Sequence, residues 1–402
     1  MNVPRSQDRP APAVPPPAPA ADPARPGVRF VPGLLDPGSP VLARAGGPPG
    51  RRLVVVDARV HELHGHRLRH YLDARGVERE TLVLPVHEQV KTMDAVFQVA
   101  DRMDSFGIPR LGAPVLAVGG GALAEVVGLA CGLYRRSTPF VRVPTTLHGL
   151  VAHRPGVETL VDPAFLVTLG RRQVASGLAE ILKVALIADA ELFGLLERRG
   201  RDLLDTRFQA AGIGTAVLAR VVDGKGFDGS VVDGARVEIL PRAGEEGSER
   251  PPHYGHTFSP TVETRALPEL LHGEAVCVDM ALTTAVARGR GLVDGEQAER
   301  ILRLMRRLEL PVWHPLLESI ALGEEVADTV GRRVGRRRLP LPSGIGAGVL
   351  VDDLGGRELV GAAGWLRAWS AVTAAAAALP ATLPADRRRP EPAAGCVPSA
   401  DG

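Results

Sequence analysis

Lysine is nearly absent from this chain. Of 48 basic residues only Lys91, Lys183 and Lys225 are lysine, and the rest are arginine. Where a chain avoids lysine, each one it keeps is informative. Cysteine is scarce too: Cys131, Cys277 and Cys396 show no CxxC and no paired spacing. That argues against a disulfide framework and points to a reducing, cytoplasmic setting. No apolar run reaches the ~18 residues of a membrane span, so no span is expected. The formal charge of +2 is near neutral, which gives no case for nucleic acid or an anionic membrane as a partner.

What is present suits a globular protein of two or three domains, with 45% hydrophobic and 23% charged residues over 402 positions. Residues 1–28 are rich in Pro and Ala without a charged start leading into an apolar core. They read as a disordered leader rather than a signal peptide. Residues 371–402 are Ala/Pro-rich and read as a disordered tail after a short helical start.

Arg52-Leu53-Val54-Val55-Val56-Asp57 is a short, β-branched apolar run, the pattern of a buried parallel strand. Helices over 61–75 and 92–106 alternate with strands at 80–84, 114–118 and 140–143. This alternation predicts a doubly wound, Rossmann-like α/β domain over residues 29–170. From residue 171 the period becomes helical, at 176–198, 273–291, 295–308 and 358–366, so residues 171–370 read as a mostly α-helical domain. The glycine-rich stretch 212–252 has no sustained period, and no structure is assigned to it.

Several residues carry chemistry. Gly119-Gly120-Gly121 follows a strand and precedes an apolar helix, which would let a backbone approach a pyrophosphate at a helix N-terminus. The pattern is not GxGxxG, and a purely structural turn is equally consistent with it. Asp57 at its strand end suits a ribose hydroxyl or a solvated turn. Glu180 and Lys183, three apart, share a helix face. A surface ion pair is the plain reading, but the apolar flank puts that face partly inside, where a carboxylate needs a cation. His256 and His272, each unremarkable alone, complete with Glu180 a carboxylate and two imidazoles, the donor set of an open catalytic metal site.

Taken in order, Gly119-Gly120-Gly121, Leu133-Tyr134-Arg135-Arg136, Val143-Pro144-Thr145-Thr146-Leu147, Ser176-Gly177-Leu178-Ala179-Glu180, Gly255-His256-Thr257-Phe258 and His272-Gly273-Glu274-Ala275 resemble the dehydroquinate synthase superfamily of sugar phosphate cyclases. Ser259-Pro260, Asp57-Ala58-Arg59-Val60, Pro311 to Leu317 and Leu339-Pro340-Leu341-Pro342 resemble its 2-epi-5-epi-valiolone synthase branch. The resemblance implies an NAD-binding α/β domain, a helical metal-binding domain, a homodimer, NAD, and Zn²⁺ or Co²⁺. It implies Glu180, His256 and His272 as metal ligands and Lys183 as a substrate contact, with Lys183 and His272 at the chemistry. It implies Asp57, Glu88, Lys91, Gly120, Gly121, Glu125, Thr145, Thr146, Thr168 and Leu169 along the NAD site. The substrate would be sedoheptulose 7-phosphate, cyclised with loss of phosphate. Two of the three lysines, Lys91 and Lys183, fall on these positions, which supports a need for an ammonium there.

The chain also departs from that pattern. The family carries an Asp, two lysines and an Asn after Thr145-Thr146-Leu147, whereas this chain passes from Leu147-His148-Gly149-Leu150-Val151 almost directly to Leu160-Val161-Asp162-Pro163. Glu125 stands where Asp is usual, and His253 where Asn or Asp is usual. Besides a cyclase of the valiolone type with a rebuilt phosphate pocket, a 3-dehydroquinate synthase, a metal-dependent polyol dehydrogenase and a degenerate, non-catalytic homologue are all consistent with these residues.

Overall fold

In the computed structural model the described residues are 27–48, 50–85, 91–109, 114–151, 158–210, 212–223, 254–318 and 339–378. The expected NAD contact Glu88 lies outside them, as do Lys225, His253, Cys396, most of the leader and most of the tail.

The first half is built on a six-stranded sheet in the order β1-β6-β5-β4-β2-β3, with every pairing parallel. Its strands are β1 Val28–Phe30, β2 Arg52–Asp57, β3 Arg79–Leu84, β4 Val115–Gly119, β5 Phe140–Pro144 and β6 Glu158–Val161. Parallel strands need crossovers, here α2 Ala58–Ala74, α3 Met93–Ser105 and α4 Gly121–Leu133, with the short α1 Val41–Arg44 ahead of β2 and α5 Leu147–Val151 before β6. The period of two along each strand divides its side chains between two layers. Val54 and Val56 pack with Leu68, Tyr71 and Leu72 of α2, while Leu53 and Val55 pack with Val96 and Val99 of α3 and Val126 of α4. Both faces are therefore covered, as a parallel sheet requires.

The second half is helical: α6 Arg171–Ala188, α7 Ala190–Asp205, α8 Ile213–Asp223, α9 Ser259–Ala266, α10 His272–Gly289, α11 Gly295–Arg307 and α12 Gly356–Ala378. Helices α6 and α10 are its centre. Every residue of α10 from Gly273 to Ala287 is buried, so it is wrapped on all sides. The α12 helix runs to residue 378, past the point where the sequence reads as tail.

The structure differs from the sequence reading in three places. The single helix expected over 176–198 is two helices that meet at Asp189. This residue leaves helical geometry at φ −148° and caps α7 by accepting a hydrogen bond from Leu192 N at 2.9 Å. An eleven-residue helix, α8, lies inside the stretch left unassigned. Strands β1 and β6 and the hairpin of β7 Leu339–Pro342 with β8 Gly348–Val351 were not expected. Runs of three or four residues hold too little pattern to announce themselves, and their pairing comes from distant chain.

Candidate active site

Strand order reverses between β2 and β4: the chain leaves β2 for β3 on one side and returns to β4 on the other. In such sheets the crevice outside the carboxyl ends of the two strands receives a ligand. Asp57 ends β2, and Gly119 ends β4. They lie so close that a Cβ on Gly119 would stand 3.1 Å from Asp57 Cβ. Asp57 Oδ1 accepts hydrogen bonds from Arg59 N and Val60 N, capping α2. Gly120 caps α4, and Gly121 is its first residue, so the α4 N-terminus opens on the crevice.

The register Gly119↔Pro144 brings the next residues of β5 alongside this turn. Thr145 donates its N–H to Gly119 O at 3.0 Å, and its buried Oγ1 has no hydrogen-bond partner. Thr146 Oγ1 accepts from Gly149 N, closing the first turn of α5. Lys91 and Glu125 form a half-exposed ion pair at 3.0 Å. Thr168 lies against α2, its Oγ1 3.2 Å from His64 Nε2, and Leu169 is buried next to it. Thus Asp57, Gly120, Gly121, Thr145 and Thr146 gather at the crevice. Lys91 and Glu125 hold each other, and Thr168 is tied to α2 through His64.

The acidic and imidazole residues meet where α5, α6 and α10 converge. Glu180 lies mid-way along α6 and is buried among apolar neighbours. Its Oε2 accepts from Lys183 Nζ at 2.6 Å, and its Oε1 lies 3.3 Å from His272 Nε2. Burial pushes the Glu180 carboxyl up. Lys183 and the surrounding histidines outweigh it and hold it well below the usual carboxylate range. His272 opens α10, with its Nδ1 2.9 Å from Glu263 Oε2 on α9. Its imidazole is pushed down by burial but lifted to about 9 by Glu180 and Glu263.

Close approach of two helix backbones sets the spacing between Glu180 and His272. Gly273 donates its N–H to Ser176 Oγ at 3.0 Å, and a Cβ on Gly273 would stand only 1.8 Å from Ser176 O. Only glycine permits α10 to begin there.

The donor atoms lying within 4.8 Å of one another belong to His148, Glu180 and His272. Sequence reasoning put His256 in that group. In the structure the His256 ring centre is 5.3 Å from that of His272, and its Nδ1 lies 3.3 Å from Tyr254 O. His256 therefore stands beside the tight triplet. It rides on the turn before α9, which is fixed by left-handed Gly255 (φ +73°) and by buried Asp279, whose Oδ2 accepts from Phe258 N and Ser259 N at 2.6 and 2.9 Å. Burial depresses both His148 and His256 to about 4, so both rings are neutral at neutral pH, the form a metal requires.

His148 Nδ1 is buried with no hydrogen-bond partner, and Glu180 Oε1 and His272 Nε2, buried beside it, have only each other at 3.3 Å. Buried polar groups are rarely left unsatisfied, and a divalent cation satisfies such a cluster. Two N/O donors bound at about 2.1 Å to one ion are at most about 4.2 Å apart. Atoms that all lie within 4.8 Å of one another can reach one ion by an inward shift of side chains, and Glu180 Oε1 and His272 Nε2, 3.3 Å apart, are already within range. Glu263, behind His272, is the kind of carboxylate that orients a ligating imidazole. His148, Glu263 and Asp279 were all missed in the sequence. No local spacing announces them, since Glu263 meets His272 from another helix and Asp279 meets the turn at Phe258 and Ser259.

A doubly wound sheet with a glycine-turn crevice, followed by helices carrying a carboxylate–imidazole cluster, defines a dinucleotide- and metal-dependent class of enzymes. Comparison with known families is in accord. Residues 81–175 match the 3-dehydroquinate synthase N-terminal family, and 177–328 match the 3-dehydroquinate synthase C-terminal family. The chain belongs to the 3-dehydroquinate synthase superfamily. Within it, the chain is 46% identical to 2-epi-5-epi-valiolone synthase of Streptomyces hygroscopicus subsp. jinggangensis, over 82% of this chain and 84% of that protein. It is 33% identical to demethyl-4-deoxygadusol synthase of Trichormus variabilis, over 83% and 85%. The solved structure of the Streptomyces enzyme with NAD⁺ and Zn²⁺ bound superposes with a TM-score of 0.77, covering 85% of this chain and 96% of that one at 44% identity. A 2-deoxy-scyllo-inosose synthase complexed with carbaglucose-6-phosphate, NAD⁺ and Co²⁺ shares the fold at a TM-score of 0.61 and 19% identity, covering 81% and 91%.

Proposed function

We propose that this chain is a sugar phosphate cyclase of the 2-epi-5-epi-valiolone synthase type, acting on sedoheptulose 7-phosphate with loss of phosphate. The observation that carries the reading is the adjacency of the two half-sites. Gly121 at the dinucleotide crevice and His272 in the metal-donor group both touch the His148 ring. A cofactor and a metal held there would meet over one substrate.

When bound, NAD would supply reversible hydride transfer, and Zn²⁺ or Co²⁺ would act as a Lewis acid on a substrate oxygen. Glu180 and His272 are the donors that fit the metal, with the His148 and His256 rings on either side of them, and Gly120, Gly121, Thr145 and Asp57 fit the dinucleotide. Lys183, locked to Glu180, presents a buried ammonium where a substrate oxygen gains negative charge. Glu263 accepts the Nδ1 proton of His272 and so presents its Nε2 to the site. Lys91, the lysine of the α/β half, is placed to attract phosphate, with Glu125 holding it in the crevice region. Phosphate leaves when a carbanion forms beside it, and the same chain of groups closes the ring by aldol addition. The reading also takes the chain as a cytoplasmic homodimer. The buried free thiols of Cys131 and Cys277 suit a reducing compartment.

Purified protein supplied with NAD⁺, Zn²⁺ or Co²⁺ and sedoheptulose 7-phosphate is expected to release phosphate. The phosphorylated aldulosonate substrate of 3-dehydroquinate synthase, run in parallel, is expected to release none. No phosphate from either substrate, with one metal bound per chain, would leave a non-catalytic homologue. Release from the second substrate alone would make the chain a 3-dehydroquinate synthase.

A further inference from the structure

We propose that His148 is itself a ligand of the metal, a fourth protein donor beside Glu180, His256 and His272. This rests on the reading of the cluster as a metal site, and it changes what that site is. A carboxylate and two imidazoles leave one tetrahedral position open for substrate, whereas a third imidazole fills it.

Four observations converge. A ring nitrogen of His148 lies within 4.8 Å of the donor atoms of both Glu180 and His272, inside the tightest donor group among the described residues. The His148 and His272 ring centres are 4.4 Å apart, closer than those of His256 and His272 at 5.3 Å. The Cδ2–Nε2 edge of His148 is the part nearest Gly121, where a Cβ would stand 2.8 Å from Cδ2. On the opposite edge, Nδ1 is buried and has no hydrogen-bond partner. A lone imidazole with one buried, unsatisfied nitrogen beside a buried carboxylate is a poor core residue and a good ligand.

The placement of the ring follows from the chain. His148 is the second residue of α5, a helix of five residues, and α5 packs against α6 through Leu147, whose side chain fills the space above Gly177. Arg142 on β5 donates to Gly149 O and Thr146 Oγ1 accepts from Gly149 N, pinning the residue next to His148 from both sides. The ring is therefore delivered by a rigid turn, as a ligand needs to be.

A metal with four protein donors is held tightly and exchanges its ligands slowly. Substrate oxygen reaches it only by expansion to five-coordination or by departure of one imidazole.

The test uses Co²⁺-loaded full-length protein and His148→Leu, which keeps the bulk of the side chain and removes the donor. Circular dichroism of the metal-free variant checks that it folds. Competition against a chromophoric chelator is expected to show at least about tenfold weaker Zn²⁺ binding by the variant, since even outer partners of ligands cost that much. Added azide is expected to leave the visible spectrum of Co²⁺ in the wild type unchanged and to shift it in the variant. The azide measurement on the wild type needs no variant, so misfolding of His148→Leu would not protect the idea. Wild-type Co²⁺ that binds azide, or a folded variant with undiminished Zn²⁺ affinity, overturns it. If the wild type binds no metal at all, the metal reading fails, and the proposed function fails with it.

Discussion

Lys183 Nζ stands 2.6 Å from Glu180 Oε2, three residues along the same helix, with both side chains buried. A buried pair of this kind is costly to break, because the remaining charge has no water to turn to. The metal-free Lys183→Met protein is expected to be about 3 kcal/mol less stable than the parent. Added Zn²⁺ should recover much of that loss, since the ion neutralises the stranded carboxylate. Urea unfolding with and without Zn²⁺ measures both. An equal loss under the two conditions would show that Glu180 does not face the metal.

Glu263 is tied to His272 Nδ1 at 2.9 Å, so its removal should loosen the imidazole rather than the fold. Glu263→Gln keeps an acceptor oxygen and drops the charge. Its Zn²⁺ affinity is expected to fall about 10- to 100-fold, as for other carboxylates behind ligating histidines. Isothermal titration on both proteins decides this, and unchanged affinity would reduce Glu263 to a packing residue.

Asp279 gives the pH dependence. Burial lifts its carboxyl from 3.8 to about 6, against the pull of the amides of Phe258, Ser259 and Thr257. Between those values the folded protein holds a proton that the unfolded chain releases, so this group's contribution to stability declines as the pH rises through the window. Asp279→Asn should match the parent near pH 4 and exceed it by up to about 3 kcal/mol at pH 7, from two pKa units at about 1.4 kcal/mol each. Urea midpoints across that range test it, and a difference independent of pH would contradict the assignment.

Asp189 runs the other way. It caps α7 and pairs with Arg220, which outweighs its partial burial and holds its carboxyl below the ordinary value of 3.8. Asp189→Ala is expected to cost about 1–2 kcal/mol at pH 7. That penalty is present above the unfolded pKa and shrinks as the pH falls through the lower folded one. Thermal unfolding of the two proteins at pH 7 and pH 3 should show the gap close.

The sheet could be read ahead of the structure because β2 and β4 are buried on both faces and therefore carry continuous apolar runs, and β5 does so but for Arg142. The glycine turn and Glu180 were legible for a similar reason, since each is embedded in a run whose pattern shows how it folds. His148 was not. It is one histidine in a five-residue helix, and its partners lie 32 and 124 positions away. No local period links them, because the contact arises from the packing of α5, α6 and α10. Glu263 and Asp279 were invisible on similar grounds, as a carboxylate on a helix looks solvated until tertiary structure buries it.

The glycine contact between α10 and α6 has one further consequence. Because Gly273 meets the backbone of Ser176, the main chains that carry Glu180 and His272 are held at one separation, and only their side chains can adjust to an ion. Both helices are locked into the largest hydrophobic cluster among the described residues, which leaves them little room to part and admit further ligands. Imidazole nitrogens beside one carboxylate then favour ions of the Zn²⁺ and Co²⁺ kind over Ca²⁺, which asks for six to eight oxygens.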